Sequence, residues 1–168
     1  PMSKDFGKIH KAADAHEDAV WCCAWSSQHG SLITGGVDDM IRVWDATDFH
    51  ATHALDGHQL GINSISTNPE GTVLVSSSLD SHIRVWDLDN MTCVRNIEAG
   101  PVETWTVSVS HDGRFIATGS HAGKINIFEV DSGKKVETIE SDGKFILHTT
   151  YSSDGSYLAA STNEGTVY

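Results

Sequence analysis

Ten of the 168 residues are histidine and 23 are aspartate or glutamate, the side chains that hold metals, move protons and orient nucleophiles. Whether they do so depends on spacing. His53 and His58 lie five apart with no acidic partner at ligand spacing, which argues against a metal site. Asp38-Asp39 is a carboxylate pair, but Asp39 reads as a solvated turn residue and Asp38 belongs to a structural set described below. No GxSxG, HExxH, P-loop or dinucleotide fingerprint occurs, so no nucleophile, base or ligand cluster is assembled and an enzyme is not expected. Cys22 and Cys23 are adjacent and would face opposite ways on a strand, leaving Cys93 as an odd partner. Without a CxxC or an apolar leader after Phe6, reduced thiols in a cytoplasmic or nuclear compartment are the expectation. Trp21, Trp25 and Trp105 are not interleaved with basic residues, as a base-stacking platform would require.

The charge supports the same exclusion. Lys plus Arg is 11 against 23 acidic residues, a formal net charge of −12, which disfavours direct binding to the phosphates of a nucleic acid. Apolar residues make up 39% and charged residues 20%, enough to bury a core and too little charge for a disordered chain. No apolar run approaches the roughly 20 residues of a membrane span, so no membrane partner is expected. No metal or organic cofactor is expected either.

The elements that position these residues repeat. Trp44-Asp45 recurs as Trp86-Asp87 and then as Phe128-Glu129, each step being 42 residues. Ile41-Arg42-Val43-Trp44 becomes Ile83-Arg84-Val85-Trp86 and then Ile125-Asn126-Ile127-Phe128; one more step brings Val167 into register. His16 and His58 keep the same spacing, with Gly100 and Asp142 in the corresponding places. Each unit holds four short runs rich in Val, Ile, Thr and Trp. In the second unit they cover 61–66, 72–77, 82–87 and 92–97, separated by turn sequences such as Asn68-Pro69-Glu70-Gly71. Such runs between Gly, Asp and Asn read as strands joined in hairpins. Only Lys8 to Asp14 could form a turn of helix, so the predicted class is all-β.

Units of this length, with an early His and a late Trp-Asp, resemble WD40 repeats of a β-propeller. The resemblance implies four-stranded blades stacked face to face, with units of about 15–56, 57–98, 99–140 and 141–168 following an N-terminal extension over 1–14. A seven-bladed ring needs roughly 290 residues. The chain therefore reads as a fragment of such a ring, three blades and most of a fourth, with open apolar faces that favour self-association. Leu32, Leu74, Ile116 and Leu158 would form one packed column; Leu55, Ile97 and Ile139 would form another. The resemblance also implies a structural role for two histidines. The sets are His16, Thr34, Asp38 and Trp44, and His58, Ser76, Asp80 and Trp86. In the third unit Gly100, Ala122 and Phe128 replace His, Asp and Trp together, although Thr118 remains. A buried polar network is better complete or absent than half satisfied.

A propeller without chemistry acts through its surface. Five residues beyond each His position lie Trp21, Asn63, Trp105 and Leu147, which are expected near the channel mouth on the face where the family docks partners. Packing between blades would account for the two tryptophans equally well. Ser78 and Ser120 are weaker candidates on the same rim. The runs 55–61, 76–84, 99–102, 123–128 and 143–147 resemble the WD-repeat subunits of superkiller complexes. That likeness implies a scaffold joining a tetratricopeptide subunit to an RNA helicase in exosome-linked mRNA decay. It also implies membership of the polymerase-associated-factor complex in transcription elongation, hence cytoplasmic and nuclear locations. The alternative is an unrelated WD40 adaptor, a histone-tail reader or a ubiquitin-ligase receptor, and Glu103 beside Trp105 is the residue that would favour a reader of cationic side chains.

Overall fold

The computed structural model describes residues 10–100 and 104–168. It is all-β, with fourteen strands in four antiparallel sheets. The first sheet runs β1 (Val20–Ser26), β2 (Ser31–Gly36), β3 (Ile41–Asp45) and β4 (Ala51–Leu55) in spatial order. The second is β5 (Ile62–Thr67), β6 (Val73–Ser78), β7 (His82–Asp87) and β8 (Thr92–Glu98). The third is β9 (Thr106–Val109), β10 (Phe115–Gly119), β11 (Lys124–Glu129) and β12 (Lys135–Glu140). The fourth has two strands, β13 (Ile146–Tyr151) and β14 (Leu158–Thr162), and Tyr168 exchanges backbone hydrogen bonds with Ala160 along the open edge of β14. Among the described residues no helix occurs; of the expected helical turn, residues 10–12 are irregular and Ala13-Asp14 form a turn, while Lys8 and Ile9 lie outside the described residues.

Alternation along the strands supplies apolar residues to both sheet faces, and the second sheet, sandwiched between the first and third, buries both. Leu74 and Trp86 on one face of the second sheet pack with Ile33, Val43 and Leu55 of the first. Val75, Val85 and Ile97 on its other face pack with Val107, Ile116 and Phe128 of the third. The innermost strands β1, β5, β9 and β13 touch in succession, so the sheets radiate from a common axis as a partial β-propeller. Ile139, in the same column as Leu55 and Ile97, is 43% exposed against 4% and 5% for those two, because among the described residues the two strands of the fourth sheet do not reach over it.

Hydroxyls stitch adjacent sheets near the axis. Ser64 and Ser66 accept the Val107 and Val109 N–H groups at 3.2 Å, and Thr67 donates to the Trp25 carbonyl at 2.8 Å. The turns repeat as strictly as the strands. A left-handed residue stands at Asp39, Ser81, Gly123 and Gly165, each joining the second strand of its unit to the segment that follows. Gly71 marks a close approach: a Cβ there would lie 2.7 Å from the Ser27 nitrogen, so only glycine lets that turn rest on the preceding sheet.

Candidate docking face

At one end of the first two sheets, a buried relay ties the entry segment to the strands. Trp44 Nε1–H donates to Thr34 Oγ1 at 2.9 Å, and Thr34 Oγ1 lies 2.8 Å from His16 Nε2. His16 Nδ1 stands 2.7 Å from Asp38 Oδ1. In the second sheet the same steps run Trp86 to Ser76 (2.9 Å), Ser76 to His58 Nε2 (2.8 Å) and His58 Nδ1 to Asp80 (2.9 Å). An ionised carboxylate has no proton to give, so Nδ1 must donate to it and Nε2 must accept from the hydroxyl. The hydroxyl in turn accepts the indole N–H, and every buried polar atom in the relay has a partner.

Electrostatics agree with that proton placement. Burial alone would raise Asp80, but the Gln59 backbone N–H and the His58 ring outweigh it and hold the carboxyl below its ordinary value. Burial likewise opposes the Glu17 N–H and His16 at Asp38, and the hydrogen bonds again prevail. Desolvation keeps His58 below its usual value despite Asp80, which favours the neutral imidazole. These histidines sit in the framework, with both ring nitrogens occupied. Among the described residues no group of three or more His, Cys, Asp or Glu could hold a metal ion. Cys22 is a half-buried thiol pushed up to about 12 by desolvation, poorly suited to nucleophilic work.

The innermost strands carry a series of irregularities, two of them in the sheets that hold the relays. In the first sheet Val20 faces Gly36 while Cys22 faces Gly35, so Trp21 has no cross-strand partner. Asn63 is skipped between Ile62–Ser78 and Ser64–Ser77, and Leu147 between Ile146–Thr162 and His148–Ser161. Thr106 pairs with Gly119, whose carbonyl also accepts the Trp105 N–H at 2.9 Å, so two residues again oppose one. Three innermost strands thus carry a β-bulge at the same repeat position, and Trp105 holds the equivalent place just ahead of β9; a bulge re-aims the side chain of its extra residue. Sequence reasoning missed this device. An irregularity that recurs at one repeat position leaves the repeat length unchanged, so the 42-residue step cannot reveal it.

The four re-aimed residues have different surroundings. Trp21 is 49% exposed and Leu147 43% exposed. Trp105 is half-buried in an aromatic cluster absent from the sequence expectations: its ring centroid lies 5.4 Å from both His121 and Phe145, edge to face, while those two rings stack at 3.9 Å. Asn63 is sewn into the rim, with Nδ2 donating to the Thr104 carbonyl at 2.9 Å and Oδ1 accepting from Ser77 at 2.8 Å. Ser78 and Ser120, expected on the rim, are 2% and 0% exposed. Their hydroxyls close their own turns, Ser78 with the Leu60 carbonyl and Asp80 N–H, Ser120 with the Ala122 and Lys124 N–H groups. Both are therefore buried within their turns and present almost no surface on the rim. A small cavity of about 110 Å3 lies between Asn63, Leu79, Trp105 and His121. Glu103 lies outside the described residues.

The sequence matches the family model of the WD domain, G-beta repeat, over residues 7–45, 49–87 and 91–129. It is similar to the WD repeat-containing protein SL1-17 of Schistosoma mansoni, 39% identical over 65 residues, or 35% of this chain and 22% of that protein. It is also similar to the WD repeat-containing protein VIP3 of Arabidopsis thaliana, 28% identical over 64 residues, or 36% of this chain and 20% of that one. With the mitochondrial division protein 1 of Aspergillus oryzae it shares 32% identity over 59 residues, 35% of this chain and 9% of the other. The matched stretches therefore span about a fifth or less of the length of these relatives.

Proposed function

This chain belongs to the WD40 repeat family, whose members generally act as protein-interaction scaffolds, and from that premise we propose that it is a non-catalytic adaptor gripping a partner segment at the bulged end of its sheets. The observation that carries this reading is the placement of Trp21, Trp105 and Leu147 at one repeat position on one rim, with Trp21 and Leu147 nearly half exposed and the sheet that carries Trp21 fixed from below by a buried relay. Rigid scaffolds with large, little-flexible aromatic side chains make efficient interaction anchors.

The finer assignment rests on the runs that resemble superkiller-type WD-repeat subunits. In this reading the partner is the complex's tetratricopeptide subunit, through which the chain serves with an RNA helicase in cytoplasmic, exosome-linked mRNA decay. A nuclear role in the polymerase-associated-factor complex during transcription elongation accompanies it. The test is binding of that tetratricopeptide subunit to the chain. Trp21→Ala with Trp105→Ala should weaken it by at least about thirtyfold, the loss of one strong anchor. Unchanged binding by the folded double variant would remove the site assignment.

A further inference from the structure

Three positions meet at the first and third seams between neighbouring sheets on this rim: the irregular residue of one sheet's inner edge, the residue of its β2–β3-type turn, and the residue before the next sheet's first strand. The 42-residue step aligns them as 21, 37 and 61, then 63, 79 and 103, then 105, 121 and 145. The backbone repeats as well: Val37 N–H donates to Ala19, Leu79 N–H to Gly61, and Asn163 N–H to Phe145, all within 2.9–3.1 Å. At the third seam the residues are Trp105, His121 and Phe145, and the indole is met edge to face by two rings. At the first seam they are Trp21, Val37 and Gly61, so the equivalent indole has neither ring. A Cβ on Gly61 would lie 3.5 Å from Trp21 Cζ3 and 3.1 Å from Val37 Cα, which places the Trp21 ring against the position from which Phe145 reaches its tryptophan. Trp21 is left half exposed, flanked in sequence by the exposed apolar Val20 and, before Gly61, by exposed Leu60.

We propose that the first seam takes an aromatic side chain from a partner polypeptide, which completes around Trp21 the ring packing that Phe145 completes around Trp105, and that glycine at 61 is what keeps this seam receptive. The occupant is a ring-bearing peptide segment without acidic neighbours, because Glu17, Asp18 and Asp39 lie on the loops beside Trp21 and repel carboxylates. The inference deepens the docking reading above and rests on it for the identity of the face, though not for the identity of the partner.

The test uses the whole chain and two probes, N-acetyl-phenylalaninamide and N-acetyl-leucinamide, titrated while the five indole N–H signals are followed by NMR and assigned by single Trp→Phe variants. The Trp21 signal should shift with the phenylalanine probe and bind it about three- to tenfold more tightly than the leucine probe, the increment an aromatic pair adds beyond its area. The Trp105 signal should stay still. Gly61→Phe should abolish the Trp21 response, and Phe145→Gly should confer a response on Trp105. The second swap keeps the idea testable if residue 61 tolerates no side chain. A Trp21 signal indifferent to the ring probe, or Trp105 unresponsive after Phe145→Gly, would overturn the proposal. If instead Trp21→Ala abolishes partner binding while Gly61→Phe leaves it intact, the docking face stands and the aromatic seam falls. If Trp21 answers the probe but the double tryptophan variant still binds the tetratricopeptide subunit, the seam stands and that partner assignment falls.

Discussion

Ser76→Ala is the sharpest probe of how the sheets are held. The Ser76 hydroxyl is fully buried, accepts the Trp86 indole N–H at 2.9 Å and lies 2.8 Å from His58 Nε2, with Trp86 and His58 themselves 2% and 4% exposed. Removing it orphans two buried groups at once. Each orphan costs about 1–3 kcal/mol, so the single variant should lose about 2–6 kcal/mol, much of the stability of an ordinary domain. Trp86→Phe leaves the serine bonded to His58 and removes the indole that Ser76→Ala would strand. In the double variant only His58 Nε2 is then orphaned, and the two losses should fall short of additivity by about 1–3 kcal/mol. Urea unfolding followed by far-ultraviolet circular dichroism measures all four corners of the cycle without depending on tryptophan emission. Losses that add to within about 0.5 kcal/mol would refute the relay as a coupled unit.

Two further outcomes follow from the same geometry. His58 is held below its ordinary value of 6.5 by burial, so on acidification the unfolded chain takes up a proton that the folded chain refuses. Stability should therefore fall as pH drops below about 6.5. It should fall again below the ordinary carboxylate value of 3.8 as the depressed Asp38 and Asp80 are titrated. Exposed His50 is raised by its bond to Asp48 and acts in the opposite sense, so the urea midpoint is best followed in His50→Ala; a midpoint that rises between pH 7 and 5 would contradict the assignment. The open face of the third sheet should drive self-association. Val136 and Ile139 are exposed beside Ile127, Tyr157 and Leu158 along a groove of about 620 Å3. Val136→Glu with Ile139→Glu should lower the sedimentation-average mass while changing stability by no more than about 0.5 kcal/mol, and an unchanged mass would exclude this face as the contact.

The repeat made the sheets legible because hydrogen-bond register and residue spacing are the same information: with Leu32 opposite Trp44 and Leu74 opposite Trp86, a step of 42 residues carries one sheet onto the next. The relays were legible only through the family resemblance, since nothing in His16 or His58 alone says which hydroxyl it will meet. The docking rim was half legible. Counting from the histidines reaches Trp21 and Trp105, but strict alternation would leave them paired in their ladders, and one inserted residue reverses every orientation beyond it. Ser78 and Ser120 look like rim residues because they sit beside turns, yet the turn's own N–H groups consume their hydroxyls. The His121–Phe145 stack had a readable trace, the replacement of Gly61 by Phe145 two units later, which becomes meaningful once both positions are known to border a tryptophan.

The division between what repeats and what varies has a physical basis. The relay joins strands within one sheet, so each of its members is constrained by the others, and when the third unit gives up the indole at Phe128 it also gives up the imidazole at Gly100. The rim obeys no such rule. A bulge residue carries no ladder partner, so Trp, Asn, Trp and Leu can follow one another at the same backbone position without changing the register around them. Each seam can therefore be set by its own neighbours: at the second the Asn63 amide is tied to Thr104 and Ser77, and the third is closed by the Phe145 ring. At the first seam glycine leaves an indole half covered. Exposing that much of a tryptophan forgoes stabilisation by burial, about 25 cal/mol for each Å2 left in water, which a docked ring would restore.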